Sequence, residues 1–257
     1  MAVVYYPNRV QKGVVPAIDR VMAKRNPQII NNREDISVGA IDFRFSANAD
    51  WQLDSVAFTF SDATARDYTV SVMNGRKVLT DLNDSLWFQI DATGPESITL
   101  DSGFYTGTEL AAELQIQLNA NSSFIAAGVT FTVSYNSITG LYTITPSSGT
   151  IKYFNVNSAQ VLSLRDSIAG HLFGLNATTG FVASIASDTP VKGLDSEAAI
   201  ISQTGSVVLQ HYHDDLHTLT LDQALHITTN VANLTADYSI TYEELNNHEG
   251  YRNQKVF

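Results

Sequence analysis

The segment with the clearest potential for chemistry is a histidine- and aspartate-rich stretch late in the chain. Residues 211–217 read H-Y-H-D-D-L-H and follow the apolar run Val207–Leu209. Imidazole nitrogens and carboxylate oxygens are common ligands of zinc in proteins. The candidate metal ligands are therefore His211, His213, Asp215 and His217.

The spacing of these residues argues against a single-ion site. The segment is similar to the H-x-H-x-D-H pattern of metallo-β-lactamase-type hydrolases, but Leu216 stands where the last histidine is needed. On an extended strand of about 3.3 Å rise per residue, the candidates would span roughly 20 Å. One ion with metal–nitrogen distances of about 2.0–2.1 Å could hold them together only if the chain turned at Asp214-Asp215. We therefore predict no metal or cofactor, and keep a metal-dependent hydrolase as an alternative.

Other catalytic fingerprints fail as well. The chain has no cysteine, which excludes thiol chemistry and cysteine-ligated metal sites. It contains no G-x-S-x-G, Walker, G-x-G-x-x-G or H-E-x-x-H motif. The aromatic residues Trp51, Trp87 and Phe88 could stack on a sugar, although one of the adjacent pair Trp87-Phe88 should be core. We predict a protein that is not an enzyme, with a carbohydrate-binding β-sandwich of a host-recognition spike as a further alternative.

The charges are unevenly distributed along the chain. The net charge is −11, which argues against a direct nucleic-acid role. Residues 1–33 nevertheless hold six of the 15 basic residues and one of the 26 acidic ones, Asp19. This asymmetry favours a leading segment that lies across an acidic surface, its own or a neighbour's. The basic residues of this predicted assembly arm are Arg9, Lys12, Arg20, Lys24, Arg25 and Arg33.

The elements that must position these residues are mostly strands. Residues 1–39 show no sustained periodicity and are predicted to form an extended arm. Alternation of apolar and polar residues then predicts strands at 41–46, 55–60, 68–73 and 85–90, and again at 206–210, 217–221, 224–229 and 237–243. The Asn74-Gly75 pair indicates a tight turn, so residues 68–79 are predicted to form a hairpin.

One helix stands out among the strands. Thr106 and Glu109 have the capping-box spacing, and Leu110, Leu114 and Leu118 form an apolar stripe, which together predict a helix over about 106–120. Alternating residues at 129–135 and 141–145 predict a hairpin for this helix to pack against. A second short helix is expected at 162–172, and residues 186–197 have the composition of a long loop.

These elements define a mainly-β fold class, a β-sandwich or jelly-roll-like chain with one helix-bearing insertion and an extended N-terminal arm. We expect an arm at 1–39, a β-rich body at 40–185 and C-terminal strands at 186–257 packed on the body. No apolar run approaches the roughly 18 residues of a membrane span, so no membrane role is expected.

One stretch resembles a known module. S-I-T-L-D-S-G-F-Y-T-G-T-E-L at 97–110, the leucine-striped helix, F-T-V-S-Y-N-S-I-T-G-L-Y-T-I-T at 131–145 and S-I-A-G-H-L-F-G-L at 167–175 are similar to a module in structural proteins of tailed-phage particles and some giant-virus capsids. The resemblance covers about 97–175 and carries no catalytic residues. It implies a virion component assembled in the host cytoplasm, a homo-oligomer that also contacts other virion proteins, as capsid decoration, neck or collar, or tail.

Overall fold

The computed structural model describes residues 27–36, 42–46, 51–60, 66–91, 93–154, 169–176, 178, 180–205, 207–211, 218–220, 222–229 and 234–244. In this part of the chain, 17 strands and two α-helices alternate with short turns. The mainly-β fold class is confirmed.

The helices are α1 (Gly107–Ala120) and α2 (Ser122–Ala126), followed by a 3-10 helix at Gly170–Phe173. The strands are β1 (Pro27–Ile36), β2 (Asp42–Phe45), β3 (Trp51–Phe60), β4 (Arg66–Asn74), β5 (Arg76–Val78), β6 (Ser85–Ile90), β7 (Glu96–Thr99), β8 (Gly103–Tyr105), β9 (Phe131–Asn136), β10 (Leu141–Pro146), β11 (Ile151–Phe154), β12 (Ile185–Ala186), β13 (Glu197–Gly205), β14 (Val207–His211), β15 (Thr218–Leu219), β16 (Gln223–Thr229) and β17 (Leu234–Glu244).

Two larger sheets are built from strands at both ends of the chain. One has the order β1-β17-β3-β14, with β15 also paired to β3. The other has the order β13-β4-β16-β2, and all its pairs are antiparallel. β1 pairs with β17 and β2 pairs with β16, although these strands are far apart in sequence. The two sheets therefore form only when the two ends of the chain come together.

The segment 75–196 forms a helix-bearing insertion between two neighbouring strands. β4 enters it and β13 leaves it, and these strands pair with each other. Backbone hydrogen bonds close its base: the N–H of Asn74 donates to the carbonyl of Ser196 at 2.9 Å, and that of Gly75 to the carbonyl of Asp222 at 2.8 Å. We call residues 75–196 the insert.

The insert has its own apolar core. Three small sheets, β12-β10-β9, β11-β6-β7 and β5-β8, surround α1 and supply its walls. The predicted stripe of Leu110, Leu114 and Leu118 is fully buried, since the helix turns this face inward. The largest fully buried side chains of the insert are Tyr142, Tyr153, Phe88, Phe124 and Phe173. Of the pair Trp87-Phe88, Phe88 is therefore the core residue, as expected.

The capping box predicted at Thr106 is confirmed. The Thr106 hydroxyl accepts from the N–H of Glu109, and the Glu109 carboxylate accepts from the N–H of Thr106 at 3.0 Å. Further along, Gln115 accepts from the N–H of Val133 at 2.9 Å, and Asn119 from that of Phe131 at 2.7 Å. Because β9 is an edge strand, these side chains satisfy backbone groups that its sheet leaves open.

The predicted hairpin at 68–79 is wrong. β4 pairs with β13 and β16, and β5 pairs with β8 instead of folding back on β4. Gly75 serves a close approach between chain segments, because a Cβ there would lie 2.3 Å from the Tyr105 carbonyl oxygen. The Asn-Gly pair thus marks the entry into the insert, where a side chain would not fit.

Part of the predicted arm forms a strand. Residues 27–36 are β1, whose ten residues pair with β17 without a register shift. The sequence did not predict this strand because P-Q-I-I-N-N-R-E-D-I lacks alternation. Residues 1–26 and 37–41 lie outside the described residues, and so do 162–168 of the second predicted helix, whose end corresponds to the 3-10 helix. The domain division at residues 39 and 185 stays a prediction.

Candidate functional site

Two features could serve a function: a row of polar side chains in the sheet next to the base of the insert, and an exposed face of α1 within the insert. The row crosses all four strands of the sheet β13-β4-β16-β2. In chain register Ser71 lies opposite His226, and His226 lies opposite Arg44. Opposed residues point to the same face of a sheet, so the row continues from one strand to the next.

A carboxylate on β13 organises one end of the row. The hydroxyl of Ser71 donates to Oε1 of Glu197, and Nδ1 of His226 lies 2.8 Å from the same oxygen. Ser71 and His226 are buried, with exposed fractions of 1% and 7%. Partial burial pushes the pKa of Glu197 upward, but the hydrogen bonds from Ser71 and His226 and the charges of His226 and Arg44 outweigh it and hold the pKa below the ordinary value.

Serine, histidine and glutamate together suggest a hydrolytic triad, but their geometry differs from one. A nucleophilic serine must give its proton to the imidazole that activates it. Here the Ser71 hydroxyl contacts the Glu197 carboxylate and, at 3.3 Å, the backbone carbonyl of His226. The buried Ser71 is also closed to substrates. This end of the row therefore joins strands by hydrogen bonds.

The other end of the row reaches the insert. Nη1 of Arg44 lies 2.6 Å from Oε1 and 2.7 Å from Oε2 of Glu109. Burial alone would raise the pKa of Glu109. The hydrogen bonds from Arg44 and Thr106 have a larger, opposite effect, so the pKa of Glu109 lies below its ordinary value. A second link runs from Nζ of Lys77 to the hydroxyl of Ser46 at 2.7 Å. The insert is thus fastened to β2 as well as to its base.

The exposed face of α1 has no charged residue of its own, and a carboxylate meets it at the N-terminal end, where Thr108 donates hydrogen bonds to the exposed Asp195. Thr108, Ala112, Ile116 and Ala120 recur every four residues and are exposed, with Ile116 at 60%. Residues at this spacing share one helix face. Ile125 on the following helix α2 is also 60% exposed. We call Ala112, Ile116, Ala120 and Ile125 the helix face.

The two charged residues of α1 both have internal roles. Glu109 holds the capping box and Arg44, as described above. Glu113 is 8% exposed, and its Oε1 accepts from the N–H of Asp101 and from Nε2 of Gln117, both at 2.9 Å. The helix face therefore meets solvent without an ionic side chain.

The four candidate metal ligands are only partly described. His211 is the last residue of β14 and lies opposite Ser55 on β3. His213, Asp215 and His217 lie outside the described residues, so the prediction of no metal and the hydrolase alternative are both untested. In the described ranges, no group of three or more His, Asp or Glu side chains is placed to hold a metal.

The basic residues of the predicted arm are also only partly described. Arg33 lies on β1 at the register position opposite Asp237 of β17. Arg9, Lys12, Arg20, Lys24 and Arg25 lie outside the described residues. Trp51, the candidate sugar-stacking residue, begins β3 opposite Glu244.

Sequence reasoning missed the polar row. Ser71 lies between two valines in sequence, and His226 between a leucine and an isoleucine. Such interruptions of an apolar run are a weak signal of a buried polar contact. Only the strand register brings Glu197, Ser71, His226 and Arg44 together, and the sequence does not give that register.

Comparisons with known proteins leave the family open. No protein-family model matches the chain, and no curated protein matches it. A crystal structure of the SeMet-labelled mavirus penton protein aligns with 86% of this chain and 100% of its own, at 8% identity and a TM-score of 0.30. A TM-score of this size does not establish a common fold. Within the described part of the chain, no helix is long and apolar enough to cross a membrane.

Proposed function

We propose that this chain is a structural component of a virus particle, specifically of a tailed-phage virion, and that it acts by assembling with copies of itself and with other virion proteins. In this proposal it carries out no catalysis and needs no cofactor. The similarity of residues 97–175 to a virion module supports the proposal. The strand, capped helix and hairpin of that module are all present in the insert.

The observation that carries the proposal is the uncharged helix face. Single exposed apolar residues are ordinary on protein surfaces. Here Ile116 stands in a repeated apolar row. Of the two carboxylates of α1, the partly exposed Glu109 is paired with Arg44, and Glu113 is buried. The cores of protein interfaces are depleted in charged residues in the same way.

Charge also indicates which partner fits this face. The chain has a net charge of −11, so two copies repel each other over most of their surfaces. Contact between them is least opposed where neither contributes a charge. A second copy of the chain, placed against the same face or against an apolar part of its insert, is therefore the occupant we assign.

The experiment compares two lysine substitutions in the full-length protein by sedimentation velocity over a range of concentrations. Ile116→Lys places a charge in the helix face, and we expect it to weaken association at least about tenfold. Leu82→Lys is the matched control, since Leu82 is 64% exposed in the turn between β5 and β6. If both variants associate as strongly as the wild type, the helix face does not contact a second copy of the chain.

A further inference from the structure

We propose that β1 is exchanged between copies of the chain, so that each β1 pairs with β17 of a neighbouring copy. This inference rests on the self-assembly part of the proposed function and names the segment that links the copies. It does not involve the helix face, so the two proposals can fail separately.

The first support is the position of β1 in its sheet. β1 lies at the edge of the order β1-β17-β3-β14, and β17 is its sole strand partner among the described residues. The pairing runs without interruption from Pro27 opposite Glu243 to Ile36 opposite Leu234. On its other side β17 pairs with β3, where the register shifts between Thr241 and Tyr242. The outer ladder is thus a complete, separable unit.

The second support is the connection that follows β1. Residues 37–41 lead to β2, which belongs to the other large sheet. A chain of this length spans at most roughly 20 Å, whereas packed sheets are about 10 Å apart. Exchange is therefore possible with a copy whose β17 lies within this distance of the start of β2. Because exchanged and internal ladders have the same hydrogen bonds, exchange adds a link between copies without loss of backbone pairing.

The third support is electrostatic. The exchanged segment, residues 1–36 up to the end of β1, carries six basic and three acidic residues, and the remainder of the chain carries nine basic and 23 acidic ones of the totals of 15 and 26. Arg33 lies opposite Asp237 in the ladder. Moving this segment onto a neighbour places positive charge on an acidic body and offsets the repulsion between copies.

The chain has no cysteine, which allows a direct test by disulfide trapping. Asn31 and Ser239 are directly opposed in the ladder. Opposed residues of antiparallel strands have Cα atoms about 4.5–5.5 Å apart, within the range that a disulfide bridges. The full-length variant N31C/S239C is oxidised and run on a denaturing, non-reducing gel. The control is S134C/T143C, an opposed pair in the β9–β10 hairpin.

Exchange predicts covalent multimers for N31C/S239C and a covalent dimer when N31C and S239C single variants are expressed together, with the control pair closing within one chain. A disulfide that closes within single chains of N31C/S239C would overturn the proposal. Failure to form any disulfide while the control pair forms one would also overturn it, because β1 would then not lie against β17. If the native protein is oligomeric in either case, the proposed self-assembly stands and only the exchange is lost.

Discussion

Arg44 of β2 grips both carboxylate oxygens of Glu109, the residue that closes the capping box of α1, at 2.6 and 2.7 Å. The Glu109 side chain thus caps the helix and also fastens the insert to the sheet through Arg44. The sequence showed the cap because its two residues are local. It did not show Arg44, which lies 65 residues away.

The double role of Glu109 can be separated by substitution. Glutamine also serves as the third helical residue of a capping box, so Glu109→Gln removes the charge and keeps the side-chain bond to the N–H of Thr106, whereas Glu109→Ala removes both. The bond from the N–H of residue 109 to the Thr106 hydroxyl is kept in both variants. We expect Glu109→Ala to lower the free energy of unfolding by about 1 kcal/mol more than Glu109→Gln. Chemical denaturation measures both. Equal losses would show that the Glu109 half of the capping box contributes nothing to stability.

The charge of Glu109 also gives a pH dependence. Its pKa is lowered in the folded protein from an ordinary value of 4.5, so its ionised form stabilises the fold above that value. This stabilisation is lost as the pH falls through the lowered pKa. The difference in unfolding free energy between wild type and Glu109→Gln should be constant above about pH 5 and shrink in more acidic solution. A difference that grows on acidification would contradict the assignment.

Two tyrosines with tilted rings in contact allow a paired test of their hydroxyl groups. Tyr135 and Tyr142 have ring centroids 4.7 Å apart. The Tyr135 hydroxyl donates to the carbonyl of Val191 at 2.7 Å, while the buried Tyr142 hydroxyl has no hydrogen-bond partner within the described ranges. Burial raises the pKa of Tyr142. Tyr142→Phe should leave stability unchanged or raise it by about 1 kcal/mol, and Tyr135→Phe should lower it by about 1 kcal/mol. Thermal unfolding of both variants decides, and a larger loss for Tyr142→Phe would contradict the packing.

The entry to the insert offers a steric prediction. Gly75→Ala places a Cβ against the Tyr105 carbonyl oxygen and the Phe104 ring. We expect a loss of about 1–3 kcal/mol in unfolding free energy. Gly94→Ala is the control, because nothing lies within 4 Å of a Cβ at that position. If the two substitutions have the same effect, the close approach at Gly75 is absent.

The buried end of the polar row can be tested by titration. Ser71→Ala removes one hydrogen bond to the Glu197 carboxylate, so the pKa of Glu197 should rise toward its ordinary value of 4.5. Carboxyl chemical shifts followed by NMR over pH report this directly. Thr204→Ala, which removes a hydroxyl bonded to Asp67, should leave Glu197 unchanged. An unaltered Glu197 titration in Ser71→Ala would mean that the contact is not formed in solution.

The local elements were predictable from the sequence, and the pairing of distant strands was not. Alternation predicts β6 at 85–90 and the β9–β10 hairpin, and the Thr106/Glu109 spacing predicts the start of α1, because these patterns depend on neighbouring residues. Pairing between distant strands leaves no such pattern. The Asn74-Gly75 pair suits both a hairpin turn and a crowded junction, so it does not distinguish them.

The candidate site was less accessible to sequence reasoning than the fold. The histidine-rich stretch at 211–217 indicates a candidate metal site by its composition alone. The polar row consists of single residues on four strands. Two of these strands, β4 and β13, are neighbours in the sheet although the 122 residues of the insert lie between them in sequence. The helix face could be predicted in part, since the burial of Leu110, Leu114 and Leu118 fixes which side of α1 faces outward.

The central claim is that this chain works by assembling with itself. The most direct measurement is the native mass of the unmodified full-length protein by sedimentation velocity, at several concentrations and at low and high salt. Self-assembly predicts a defined oligomer that dissociates on dilution, with salt altering its stability because charged segments take part. A monomer at every concentration and salt condition would contradict self-assembly.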